Sequence, residues 1–180
     1  MNEGKFGVLI GALLTLVSTF FFSFGQTNSA LGRTYISGIG FLFNFPEIIT
    51  DVNYWVAYFG GEATVIYIVS IVLLVFLLSG IIQLVGLSNR VVAIIGSLMV
   101  LNISIAIMAA IMIDGPGMDF ERYFVLLWRA PIVDGIWPLD VPIINLLHVH
   151  NYQNLSLGAF TSITGGALGL VGGILGVKDQ

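Results

Sequence analysis

Cysteine is absent from this chain, which excludes a disulfide scaffold, a thiolate metal site, a haem attachment motif and a cysteine nucleophile. Charge is scarce as well. Lys and Arg number six and Asp and Glu ten among 180 residues, 9% of the chain. A soluble domain carries roughly a quarter charged residues, and a chain this short keeps much of its surface exposed when folded. A surface so poor in charge has to face lipid. Six basic residues form no patch for nucleic acid. There is no Walker motif, dinucleotide fingerprint or HExxH zinc motif, and no nucleophile is set convincingly beside a base. What the chain does have is apolar bulk, 57% hydrophobic residues, and 22 glycines.

A membrane crossing takes about 20 predominantly apolar residues. Four segments qualify: about 6–24, 63–87, 91–113 and 155–177, and none contains Asp, Glu, Lys, Arg or His. Lys5 and the polar run Gln26-Thr27-Asn28-Ser29 bound the first, and Glu62 precedes the second. The turn sequence Asp114-Gly115-Pro116-Gly117 closes the third, and Lys178-Asp179-Gln180 follows the fourth. The first is read as a retained span rather than a signal peptide, because it is longer than an h-region and no clean small-x-small cleavage site follows. The expected fold is an all-α polytopic membrane protein, one domain over 1–180 built on a four-transmembrane-helix bundle. Gly86 to Arg90 alone separate the second and third spans, which forces an antiparallel hairpin. The long loops 25–62 and 114–154 then share the opposite face.

Lys5, Arg90 and Lys178 lie on the short termini-and-hairpin side, whereas Arg33, Arg122 and Arg129 are diluted over the long loops. The positive-inside rule therefore places both termini in the cytoplasm and the long loops outside, with the plasma membrane the expected location. The outer side carries Glu47, Asp51, Glu62, Asp114, Asp119, Glu121, Asp134 and Asp140. Against three arginines these leave a net charge of about −5.

Both outer loops are too apolar for solvated connections. Thr34 to Thr50 reads TYISGIGFLFNFPEIIT, short and with Pro46 beside Glu47, which suits β-structure, a re-entrant segment or an interfacial helix better than a crossing, and Tyr123 to Leu147 reads YFVLLWRAPIVDGIWPLDVPIINLL. A fifth crossing through the second stretch is excluded by Arg129, Asp134 and Asp140, each costing about 2.5 to 3.5 kcal/mol near the bilayer centre, and by Pro131, Pro138 and Pro142. Tyr54, Trp55, Tyr58, Phe59, Trp128 and Trp137 read as an interfacial aromatic belt, or as part of a compact outer cap with apolar surface for a partner. A faint echo links the loops: Gly38-Ile39, Pro46 and Ile48-Ile49 against Gly135-Ile136, Pro142 and Ile143-Ile144.

The fourth span is the most distinctive. Gly165, Gly169 and Gly173 stack at i, i+4 and i+8, a small-residue face that lets helix backbones approach closely. Asn102 in the middle of the third span is expected to pack helices through an interhelical hydrogen bond, with Gln83 and several serines and threonines completing the intramembrane polar inventory. No ionisable residue lies in a span, which argues against a pump or coupled transporter. His148 and His150 sit two apart and could hold copper or zinc with a further ligand, although a metal is not expected and lipid is the only other ligand in view. Asn154-Leu155-Ser156 is a glycosylation sequon close to the fourth span, and 118–128 could form an amphipathic helix.

One span, a large aromatic outer loop around Tyr54-Trp55, a tight inner hairpin, a second outer loop and a Gly-rich last span: this layout resembles the tetraspan architecture of claudin-like membrane proteins. The resemblance covers the whole chain in topology and implies four spans with both long loops outside. The family's outer-loop signature of tryptophan, Gly-Leu-Trp and two cysteines is not present, so no residue role is carried over. The expected function is a structural or accessory, non-enzymatic subunit of a larger membrane assembly. It would bind other membrane subunits or copies of itself through the Gly-rich span and the apolar loops. A self-assembling tetraspan channel or adhesion protein, and a metal-binding subunit of a redox complex, are the alternatives.

Overall fold

The structure, a computed structural model, describes residues 2–29, 32–59, 62–112, 127–130, 138–146 and 152–176. Its helices are α1 (Glu3–Phe21), α2 (Gly38–Thr50), α3 (Val52–Phe59), α4 (Ala63–Val85), α5 (Arg90–Met112) and α6 (Leu157–Leu175). Its strands are β1 (Gly25–Ser29), β2 (Gly32–Ile36), β3 (Arg129–Ala130), β4 (Pro142–Asn145) and β5 (Tyr152–Ser156). Helices α1, α4, α5 and α6 are long and apolar enough to cross a membrane. They coincide with the four expected spans to within a few residues. The largest shift is at α1, which starts and ends three residues early, and at the start of α6 Leu155 and Ser156 belong to β5.

These four helices form a ring in which α1 lies most extensively against α6, α6 against α5, α5 against α4 and α4 against α1. Asn2 Nδ2 donates to the Gly176 carbonyl at 3.3 Å, and the Arg90 guanidinium donates to the Ile174 carbonyl at 3.0 Å. Both ends of the bundle sequence and the α4–α5 turn therefore share one end. A cation on the last carbonyls of α6 also satisfies an acceptor that the helix leaves open and opposes its dipole.

Polarity runs from inside to outside. Thr15, Ser18, Ser79, Gln83, Ser97, Ser104 and Ser162 are buried, whereas Phe6, Leu13, Ile68, Ile71, Val91, Ile95, Val171 and Ile174 are exposed. Water would drive this arrangement the other way. In hydrocarbon, large side chains gain nothing by facing inward, and small ones inside let helices approach.

The far end of the bundle carries a five-stranded antiparallel sheet in the order β3-β2-β1-β5-β4. The all-α expectation therefore needs a correction: the two long loops are joined as β-structure. Strands β1 and β2 come from the first loop and the other three from the second. The two loops meet at β1–β5, where Gly25 pairs with Leu155 and Gln26 with Asn154, and at β2–β3, where Tyr35 pairs with Ala130. The end of α1 is sewn into the same assembly, since the Leu139 N–H donates to the Phe21 carbonyl at 2.9 Å and the Ser23 N–H to the Leu139 carbonyl at 3.0 Å. These bonds satisfy backbone groups that a helix end would otherwise leave open.

Helices α2 and α3 turn back along the cap. Ser37 caps α2, its hydroxyl accepting from the Gly40 N–H, and Asp51 separates the two helices by accepting from the Tyr54 N–H at 3.2 Å. The echo between the loops is not a structural repeat, because Pro46, Ile48 and Ile49 are helical whereas Pro142, Ile143 and Ile144 form β4. The large apolar core lies where cap meets bundle: Phe24, Ile36, Phe41, Ile48, Trp55, Ile66, Leu73, Phe76, Ile107, Ile111 and Trp128 form one cluster. Toward the termini the interior is largely glycine and hydroxyl, and Val8 and Ala93 form a small buried apolar cluster with Leu87 against it.

Candidate functional site

The first candidate is the glycine face of α6. Gly158, Gly165 and Gly172 recur every seven residues and meet α1 or its end. A Cβ placed on them would stand 2.5 Å from the Ser23 carbonyl oxygen, 2.7 Å from that of Gly11 and 2.6 Å from that of Gly4. Helix α1 answers with its own glycines, since a Cβ on Gly11 would lie 2.6 Å from the Gly165 carbonyl oxygen. Backbone cannot give way as a side-chain tip can, so glycine is needed on both sides. The Ser18 hydroxyl crosses the seam to the Gly158 carbonyl at 3.0 Å.

The expected ridge of Gly165, Gly169 and Gly173 is therefore shared out. Gly165 meets α1, Gly169 opens over Gln83 and Ser97, and Gly173 lies on Ile94 of α5. All three are buried. The face is covered by the chain's own helices, which is the packing within its own bundle that such a face first suggests, and it is not left open for the contact with other subunits that was the other expectation.

Gln83 of α4 and Ser97 of α5 form the innermost polar contact. Gln83 Nε2 donates to Ser97 Oγ at 3.1 Å, and that hydroxyl donates to the Ala93 carbonyl at 2.7 Å. A Cβ on Gly169 would stand 2.5 Å from Ser97 Oγ and 2.8 Å from Gln83 Nε2, so this glycine makes room for the pair. Gln83 Oε1 and the hydroxyls of Ser70 and Ser104 are buried with no hydrogen-bond partner among the described residues. Asn102 behaves differently from the expectation. It faces outward from α5, exposed, and makes no hydrogen bond among the described residues. It is not part of the bundle interior.

A polar knot ties the sheet to α6. Asn154 Nδ2 donates to Gln26 Oε1 at 3.2 Å and to Asp140 Oδ2 at 3.4 Å. The Ser156 hydroxyl bonds Asp140 Oδ1 and reaches Asn154 Oδ1 at 2.8 Å. Ser156 stands at the N-cap of α6 without a side-chain bond to the helix N–H groups. Its hydroxyl is turned to Asp140, whose negative charge at a helix N-terminus is favourable. Among the described residues no imidazole joins the serine and carboxylate of the knot. The knot also closes the sequon, since Asn154 and Ser156 are buried.

Above the knot, Trp128 packs edge-on against Phe24, ring centroids 5.3 Å apart, and tilted against Phe76 at 5.4 Å. Asn44 Nδ2 donates to the Leu127 carbonyl at 2.9 Å, fixing α2 to this segment of the second loop. Trp128 is fully buried, so it is a core residue rather than part of an interfacial belt. Tyr54 remains exposed.

His148 and His150 lie outside the described residues, as do Trp137 and nearly all of 118–128. Among the described residues no three His, Asp or Glu gather as a metal site would need. Asn154 and Ser156 stand in the sequence as a sequon and not as partners of Asp140, and the glycines of α1 draw no notice on their own. Gly4, Gly7 and Gly11, at spacings of three and four opposite a glycine-rich span, are the signal that marks the seam. Compared with protein-family models, curated proteins and solved structures, the chain matches none.

Proposed function

We propose that this chain is an integral membrane protein, with both termini cytoplasmic and the sheet-bearing cap on the outer face of the plasma membrane, serving as a structural or accessory subunit of a larger membrane assembly. The observation that carries the reading is the pairing of a bundle almost free of charge with an apolar cap surface. Among the described residues, the helices that could cross the bilayer hold Asp, Glu, Lys or Arg only in a first turn, at Glu3, Lys5 and Arg90. On the cap, Phe43, Ile49 and Tyr54 of α2 and α3 are half exposed or more, at 54%, 56% and 50%.

Exposed Glu47, Asp51 and Glu62 flank those apolar residues. An apolar centre with a charged rim is the anatomy of a protein interface. Partners therefore dock on the α2–α3 face, and the Gly-rich span serves the chain's own packing. Purification from native membranes after mild solubilisation tests this. A membrane protein recovered with the chain in constant stoichiometry is the expected outcome. A monomer with no companion overturns it.

A further inference from the structure

Asn102 lies near the midpoint of α5, which at about 1.5 Å per residue is long enough to cross the hydrocarbon, and its side chain is exposed on the outer face of the ring. Among the exposed hydroxyls of the spans, Thr64 and Tyr67 stand in the first two turns of α4, near its end rather than at mid-depth, and Thr164 donates to the Phe160 carbonyl of its own helix at 2.8 Å. An amide cannot satisfy both N–H groups and its carbonyl that way, and Asn102 makes no hydrogen bond among the described residues. Two donors and an acceptor held at mid-depth in hydrocarbon are unfavourable until another chain supplies partners.

We infer that Asn102 joins two copies of this chain, α5 against α5, through a reciprocal side-chain amide pair. The inference rests on the membrane reading above. Copies inserted in the same sense carry residue 102 at the same depth, and a two-fold axis along the membrane normal sets each Asn102 opposite the other. An amide is its own complement, since each side offers donor and acceptor. A different partner would need a polar residue of its own at that level.

The flanking residues fit such a pair. Val91, Ile95, Leu98, Asn102, Ile105, Ala109 and Met112 recur at alternating steps of four and three, the spacing of a left-handed helix pair, in which a single buried Asn fixes register. The outward faces of the other spans have similar spacing. The amide distinguishes this one, and Ala106, exposed beside it, permits close approach.

Because the chain has no cysteine, single-cysteine variants of the full protein report proximity directly. In phosphatidylcholine vesicles, oxidation is expected to cross-link Leu98→Cys and Ile105→Cys into dimers, and to leave Ile71→Cys on α4 and Val171→Cys on α6 as monomers. Adding Asn102→Ala to Leu98→Cys should cut dimer formation about tenfold, and Asn102→Gln should restore most of it. Equal cross-linking at all four positions, or no effect of Asn102→Ala, overturns the inference. Retention after alkaline carbonate separates the two levels: chain retained but undimerised contradicts only the pairing, whereas chain released contradicts the membrane reading and the pairing with it.

Discussion

Gly11 and Gly165 face each other across α1 and α6 so closely that a Cβ on either would lie 2.6 to 2.7 Å from the other's carbonyl oxygen. The contact is reciprocal and made by backbone, so neither helix can yield by changing a rotamer. Gly11→Leu and Gly165→Leu should each destabilise the protein by about 3 kcal/mol or more. Val171→Leu, on the exposed face of α6, should change stability by less than about 0.5 kcal/mol. Thermal unfolding in detergent micelles measures the difference.

Gly169 and the Gln83–Ser97 pair should be coupled. Ser97→Ala leaves the buried Gln83 amide without its acceptor and should cost about 1 to 3 kcal/mol, whereas Gln83→Leu removes the need and should be close to neutral. Gly169→Ala should be destabilising alone and less so in a Ser97→Ala background, where the clashing hydroxyl is gone. A double-mutant cycle on unfolding free energies reads this coupling directly.

Trp128 joins the second loop to the bundle through Phe24 and Phe76, and Trp128→Ala should cost about 3 to 5 kcal/mol. The loss should fall on the cap first, because the inner half of the bundle is held by glycine contacts that do not involve Trp128. Limited proteolysis should therefore cut 32–59 rapidly in the variant while α4 and α5 stay protected.

Ser156→Ala should free Asp140 and Asn154 together, with a cost of about 1 to 3 kcal/mol. It also abolishes the sequon, so the stability change must be compared with Leu155→Val, which preserves Asn and Ser. Expression in a glycosylating host should give unmodified Asn154 in the wild-type chain, read by mass spectrometry.

The spans were legible because length and absence of charge suffice to mark a crossing, and both are local. The sheet was not. Its strands GQTNS and GRTYI are polar and show no clear alternation of apolar with polar residues, and each gains its partners from residues that are distant in sequence, such as Gln26 from Asn154. Asn102 stands out as a polar residue in a span, but α5 carries polar side chains on two faces, Ser97 and Ser104 on one and Asn102 on another, and hydropathy does not say which turns outward. For α6 the glycines declared close contact and withheld the neighbour. The match with Gly4 and Gly11 appears only when α1 lies antiparallel beside it.

The most direct test of the central claim, that this is a membrane subunit docking through its cap, is photo-cross-linking in native membranes from a reactive residue placed at Phe43 or Ile49. The account predicts one discrete protein adduct from both positions and none from Val171 of α6. Adducts to lipid alone at Phe43 and Ile49, or the same protein captured equally from Val171, would contradict it.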